Sequence, residues 1–104
     1  MTTPQFKHTL EQLLAWWMDT MIDEKHGGFY GRVDGHGQLH PEADKGVILN
    51  TRILWGFAAA ARATGREDYR RMADRAYHYL IEYFLDREHG GLFWMLDHQG
   101  RVLD

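Results

Sequence analysis

Arg52 is the residue whose type and setting most invite chemistry. It is the only charged side chain between Lys45 and Arg62, in a run otherwise built from apolar and small residues. An unpaired guanidinium in such company is costly, so it needs an acidic partner or a polar cavity. On a helix, at about 100° per residue, Arg52 shares its face with Ile48, Trp55 and Ala59, and roughly with Lys45 two turns back. A planar fork of N–H donors beside an aromatic plate suits a sugar: the fork meets hydroxyl and carbonyl oxygens while C–H faces stack on the ring. The competing reading is a structural salt bridge to an acid on a neighbouring element.

The remaining polar residues have simpler tasks. Of the seven histidines, His36 and His40 are four apart but flank a turn, with Gly37 between them and Pro41 after, so they do not make a helical metal face. No metal site is expected. His26 and His89 each stand directly before a Gly-Gly pair, and a role repeated at two hairpins reads as structural or solvated rather than catalytic. His8 and His78 fall among charges on amphipathic helices. Asp23, Asp34, Asp86 and Asp97 occupy matching turn positions, where a carboxylate has a sufficient local job, and they are not read as the paired acids of glycoside hydrolysis. The Gly-Gly pairs follow helices rather than open them, opposite to what phosphate binding at a helix N-terminus requires.

Three helices position these groups. The first spans Phe6 to Ile22, with Phe6, Leu10, Leu13, Leu14, Trp17 and Met21 on one stripe, Thr3 as N-cap, Pro4 as first helical residue, and Gly27-Gly28 closing the pattern. A short hairpin follows over Phe29–Val33, turning through Asp34-Gly35-His36-Gly37. The second helix runs from about Lys45 to Ala63, is stopped by Gly65, and is apolar nearly all round. The third, Glu67 to Leu85, is amphipathic: Tyr69, Met72, Ala73, Ala76, Leu80, Tyr83 and Phe84 face one way, Arg70, Arg71, Asp74, Arg75 and Glu82 the other.

An internal repeat organises the chain. Asp-Glu-Lys-His-Gly-Gly-Phe-Tyr from Asp23 returns as Asp-Arg-Glu-His-Gly-Gly-Leu-Phe from Asp86, an offset of 86 − 23 = 63 residues. Asp34 and Gly37 align with Asp97 and Gly100, and the first helix aligns with the third. One unit is therefore an amphipathic helix, a Gly-Gly hairpin and an apolar helix, and residues 1–104 read as a single incomplete domain of about one and two-thirds units. A helix apolar all round needs neighbours all round, whereas an amphipathic one can lie outside. Their alternation predicts an all-α, concentric α/α toroid, and six such units would make about 380 residues. A second helix lying half in water with Arg52 outward would count against that reading. The alternative is a complete three-helix domain with two hairpins.

Composition narrows the partners. Twelve basic against fifteen acidic residues, with no basic run, removes the electrostatic footprint of nucleic-acid or anionic-membrane binding. Without cysteine there is no disulfide framework, thiol nucleophile or cysteine-bound zinc. The N-terminus has no basic region leading into an apolar run, so a cytoplasmic location is the default expectation. An incomplete ring with an apolar inner helix is expected to self-associate.

The segment Lys45-Gly-Val-Ile-Leu-Asn-Thr-Arg-Ile-Leu-Trp55, preceded by Asp23-Glu-Lys-His-Gly-Gly-Phe-Tyr-Gly-Arg32, resembles the N-terminal part of the cellobiose 2-epimerases, within the N-acylglucosamine 2-epimerase superfamily. The resemblance runs over nearly the whole chain. It implies an (α/α)6 barrel and epimerisation at C2 of a reducing-end aldose, with a disaccharide substrate favoured by the Asn-x-Arg form and neither metal nor redox cofactor needed. In the implied reaction one histidine removes the proton α to the opened aldehyde, a cis-enediolate forms, and a second histidine returns a proton to the other face. The family arginine falls on Arg52, implied both to bind sugar oxygens and to stabilise the enediolate. The acid/base histidines are implied to lie beyond Asp104, since none of the seven here matches them, so the chain alone is expected to be inactive. Two further readings stay open: a non-catalytic helical module that binds sugar or protein, and an aldose-ketose isomerase of the same superfamily.

Overall fold

The computed structural model describes residues 3–104. In chain order it contains α1 (Thr3–Thr20), β1 (Lys45–Gly46), α2 (Val47–Thr64), α3 (Glu67–Tyr79), one π-helical turn (Leu80–Phe84) and β2 (Met95–Leu96). The three expected helices are all present. Thr3 falls inside α1 rather than capping it, and Lys45 belongs to β1 rather than to α2. Gly65 ends α2 as expected, in the left-handed region at φ 72°, with its N–H bonded to the Ala61 carbonyl at 2.8 Å. The expected third helix changes type partway, its last turn widening so that the Leu85 N–H reaches the Leu80 carbonyl at 2.9 Å.

The two-residue link Gly65–Arg66 lets α2 and α3 pack along each other. Ile53, Phe57 and Ala60 of α2 meet Tyr69, Ala73 and Ala76 of α3, closed from the other sides by Leu14, Met21 and Phe29. A second cluster, Val47, Tyr79, Leu80, Phe84 and Leu96, sits beneath the β1–β2 pair. That antiparallel pair, Lys45 opposite Leu96 and Gly46 opposite Met95, joins the two repeats and has no counterpart in the sequence pattern.

Two apolar patterns are buried less than their spacing implies. Along α1 and the residue after it, Leu14, Trp17 and Met21 pack inward while Phe6, Leu10 and Leu13 stay exposed, so only the C-terminal half of the stripe is covered. On α2, Val47, Asn50, Ile53, Phe57 and Ala60 are buried, but Ile48, Thr51, Arg52, Trp55, Ala58 and Ala59 are exposed. The apolar helix thus has a solvent face within this chain: one stripe lies against α1 and α3, and the opposite stripe meets no packing partner among the described residues.

Each expected hairpin takes the form of two tight turns closed by single bridges, Ile22 to Phe29 and Val33 to Leu39 in the first, Leu85 to Leu92 and Leu96 to Val102 in the second. No helix among the described residues is long and apolar enough to cross a membrane.

Candidate functional site

The Asn-x-Arg segment divides across the wall of α2. Asn50 is buried and its Nδ2 donates to the Gly46 carbonyl at 3.0 Å, tying the first turn of α2 to β1, while its Oδ1 meets no protein donor. Arg52, two residues on, points the other way and is exposed. Trp55, at 75% exposure, is the most open of the large apolar side chains among the described residues and lies one turn along from Arg52, with Ile48 one turn before. Face-sharing by Ile48, Arg52, Trp55 and Ala59 is therefore as expected, and Lys45 is separate from it. No acid among the described residues is within ion-pair distance of Arg52, so the structural salt bridge is not formed here. Between α1 and α2, Arg52 also borders an apolar groove floored by Leu14, Ile53 and Phe57 and walled by Trp17 and Leu49.

The turn aspartates have the local task expected of them, twice over. Asp23 Oδ1 accepts from the backbone N–H groups of Lys25 and His26, and Asp86 Oδ1 from those of Glu88 and His89, all at 2.9–3.1 Å. Asp34 Oδ1 accepts from His36 and Gln38, and Asp97 Oδ1 from Gln99 and Arg101. These are Asx turns, in which the side chain stands in for a backbone acceptor. His26 and His89 take part through their main chains, and the His89 ring lies 3.5 Å from Asp86 Oδ2. The His26 ring meets that of His98 edge to face at 5.3 Å, so the two hairpins touch. His40 Nε2 contacts Asp34 Oδ2 at 2.8 Å, closing the turn from its far side. Among the described residues no three His, Asp or Glu side chains are grouped to hold a metal.

The interaction missed in the sequence is buried. Lys45 Nζ lies 2.7 Å from Asp23 Oδ2, with neither side chain exposed, and donates a second bond to the Gly27 carbonyl at 3.0 Å. Its ammonium also sits 5.0 Å from the centroid of the Tyr79 ring. Arg75, assigned to the polar face of α3, instead reaches back to the same hairpin: its Nε donates to the Gly28 carbonyl at 2.9 Å and its Nη2 to the Asp23 carbonyl at 2.8 Å. Burial alone would raise the Asp23 pKa, but the Lys45 hydrogen bond, the His26 N–H and nearby positive charge together hold it below the usual carboxylate value. Burial wins at Lys45, whose pKa is pulled down despite Asp23, and burial pushes the Tyr79 phenol up. The available sequence signal was an aspartate with a second oxygen to satisfy and a lone lysine at the edge of an apolar run.

Three helices with the same Asx-turn hairpin after α1 and again after α3, and one exposed Arg–Trp stripe on α2, define a helical α/α repeat protein. The family described as N-acylglucosamine 2-epimerase (GlcNAc 2-epimerase) matches residues 28–104, and the chain belongs to that family. It is 51% identical over 98 residues to a cellobiose 2-epimerase of Bacteroides fragilis, aligning 94% of this chain with 25% of that protein. The solved cellobiose 2-epimerase of Bacillus thermoamylovorans superposes with a TM-score of 0.87 at 36% identity, over 98% of this chain and 27% of that one. A crystal structure of D-mannose isomerase gives 0.86 at 26% identity, over 99% and 26%. The chain thus spans about a quarter of the length of these relatives. Its fold is the expected one, a portion of an (α/α)6 barrel. The half-exposed α2 with Arg52 outward, the arrangement expected to count against a toroid, does so only for a closed ring, and this chain spans only that quarter of its relatives.

Proposed function

We propose that this chain supplies one wall of a sugar-epimerising site, with Arg52 as the donor that binds the reducing-end sugar and stabilises the enediolate formed when the C2 proton is removed. The observation that carries this reading is the exposed stripe of α2. An unpaired guanidinium between Ile48 and Trp55 leaves a cation and an aromatic plate on the face that neither α1 nor α3 covers. In a closed α/α ring the inner helix faces the lumen with such a stripe. Residues 1–104 are then an incomplete domain of about one and two-thirds units, and the apolar helix obtains its remaining neighbours from the rest of the barrel.

The chemistry follows from the weak acidity of a C–H next to an aldehyde. Proton removal places negative charge on the carbonyl oxygen, and a fixed guanidinium near that oxygen lowers the barrier because it needs no reorganisation as the charge develops. Bases on opposite faces of the intermediate must come from elsewhere in the barrel, since no histidine here adjoins Arg52 on its stripe. The likeness to cellobiose 2-epimerases favours epimerisation of a disaccharide over aldose-ketose isomerisation, because identity reaches 51% there and 27% for the D-mannose isomerase of Marinomonas mediterranea.

A chimera tests this. Residues 1–104 replace the aligned quarter of the Bacteroides fragilis enzyme, and cellobiose epimerisation is assayed. The chimera should turn over. Arg52→Ala should lower kcat by about 10²–10³-fold, the loss typical of one oxyanion donor, without moving the melting temperature. Near-normal turnover by Arg52→Ala would remove Arg52 from the site.

A further inference from the structure

The first hairpin is a filled socket. Its rim is made of the Asp23 carboxylate and the carbonyls of Asp23, Gly27 and Gly28, and three side chains from elsewhere occupy it. Lys45 takes the carboxylate and the Gly27 carbonyl, Arg75 takes the other two carbonyls, and the Tyr79 ring lies so close over Gly28 that a Cβ there would stand 2.7 Å from it. Phe29, at the socket base, is fully buried.

The second hairpin has the same backbone. The Asp86 N–H bonds the Gly91 carbonyl at 3.0 Å as the Asp23 N–H bonds that of Gly28 at 3.1 Å, and the Gly90 N–H bonds the Asp86 carbonyl at 2.9 Å as the Gly27 N–H bonds that of Asp23. Gly90 and Gly91 hold φ 81° and 74°, against 86° and 63° for Gly27 and Gly28. Its surroundings differ. Among the described residues, a Cβ on Gly90 or Gly91 would meet nothing within 4 Å, Leu92 is 48% exposed where Phe29 is buried, and Asp86 Oδ2 has only the His89 ring, at 3.5 Å.

We infer that the second hairpin is a docking socket for a helix of a following repeat unit carrying an arginine and an aromatic ring four residues later, with a lysine for Asp86 supplied by the remainder of the hairpin's own unit. The residue chemistry is read from what fills the identical backbone one repeat earlier. In the first socket the lysine follows its aspartate by 22 residues and the arginine by 52, so a chain running through a further unit should show the same two intervals counted from Asp86. This surface is distinct from the Arg52 stripe, and either assignment can fail without the other.

The experiment uses the 104-residue chain, labelled with ¹⁵N, and a peptide of residues 67–84 stapled on its exposed face and verified as helical. That peptide carries two of the three occupants of the first socket, Arg75 and Tyr79. On titration the amide resonances of Glu88, His89, Gly90, Gly91 and Leu92 should move. Arg75→Ala in the peptide should weaken binding by about tenfold or more, as loss of hydrogen bonds from a charged donor does. Gly91→Asn in the protein keeps a left-handed backbone while filling the hollow, and should abolish binding with the Asx-turn amides of Glu88 and His89 in place. The inference is overturned by no shift at millimolar peptide, by binding indifferent to either change, or by shifts confined to the α2 stripe. Hairpin resonances that move with protein concentration alone would also overturn it, by making a second copy the occupant.

Discussion

Lys45 and Asp23 form an ion pair 2.7 Å long from which water is wholly excluded, across 22 residues of chain. The pair fastens the strand before α2 to the hairpin after α1, and Arg75 brings α3 to the same place. Three elements of two different repeats therefore converge on one carboxylate and its neighbouring carbonyls.

Breaking one partner of a buried pair leaves the other charged and unsolvated, typically at a cost of about 3–5 kcal/mol. Asp23→Asn should destabilise the chain on that scale, and Lys45→Met by less, because the Asx-turn amides continue to support the carboxylate. The double variant should lose less than the sum of the two. Urea unfolding followed by tryptophan fluorescence measures this, and single losses below about 1 kcal/mol would contradict the role given to the pair.

Acid should unfold the protein through its turn aspartates. Asp23, Asp34, Asp86 and Asp97 are all held below the ordinary value of 3.8: Asp23 by Lys45 against the opposing effect of burial, Asp34 first by His40, Asp86 first by the His89 N–H, and Asp97 first by the Arg101 N–H. A carboxyl whose pKa is depressed on folding contributes stability that is complete above the unfolded value and is lost as pH falls through the folded one. Melting temperature should therefore be flat on this account above about pH 5 and fall steeply below pH 3.8. Asp34→Asn should flatten part of that fall. A melting temperature unchanged from pH 6 to pH 2.5 would show that these turns do not contribute as described.

Gly28 and Gly91 offer a controlled comparison, since both hold positive φ, at 63° and 74°, but only Gly28 is covered. Alanine at Gly91 meets the backbone penalty alone, about 1–2 kcal/mol. At Gly28 it meets the same penalty plus the Tyr79 ring 2.7 Å away, so Gly28→Ala should cost clearly more. Equal losses in denaturant titrations would mean that the ring can move aside freely.

The exposed stripe of α2 should drive self-association of the 104-residue chain. Ile48 is 45% and Trp55 75% exposed, on one face. Sedimentation velocity should show a concentration-dependent average mass, reduced by Trp55→Glu with little change in stability because the side chain is already in water. A monomer at all concentrations would show that the stripe does not mediate contact between copies.

Much of this protein could be read from residue order alone. Three helices, the stop at Gly65, the 63-residue repeat and the turn duty of four aspartates each depend on interactions within a few residues, which local spacing encodes. The resemblance carried by the Gly-Gly hairpin and the Asn-x-Arg segment reached the family. Three things were decided only in three dimensions. Lys45 and Arg75 found partners 22 and 47–52 residues away, and nothing in their own neighbourhoods marks which of several charges will be drawn inside. β1 and β2 paired because packing brought two short extended segments together, too short to show a period of their own. The apolar composition of α2 implied burial on all sides, yet composition counts what a helix needs and not what these residues supply. Tertiary packing chose which stripe lies against α1 and α3, and by that choice left Arg52 and Trp55 together in the open.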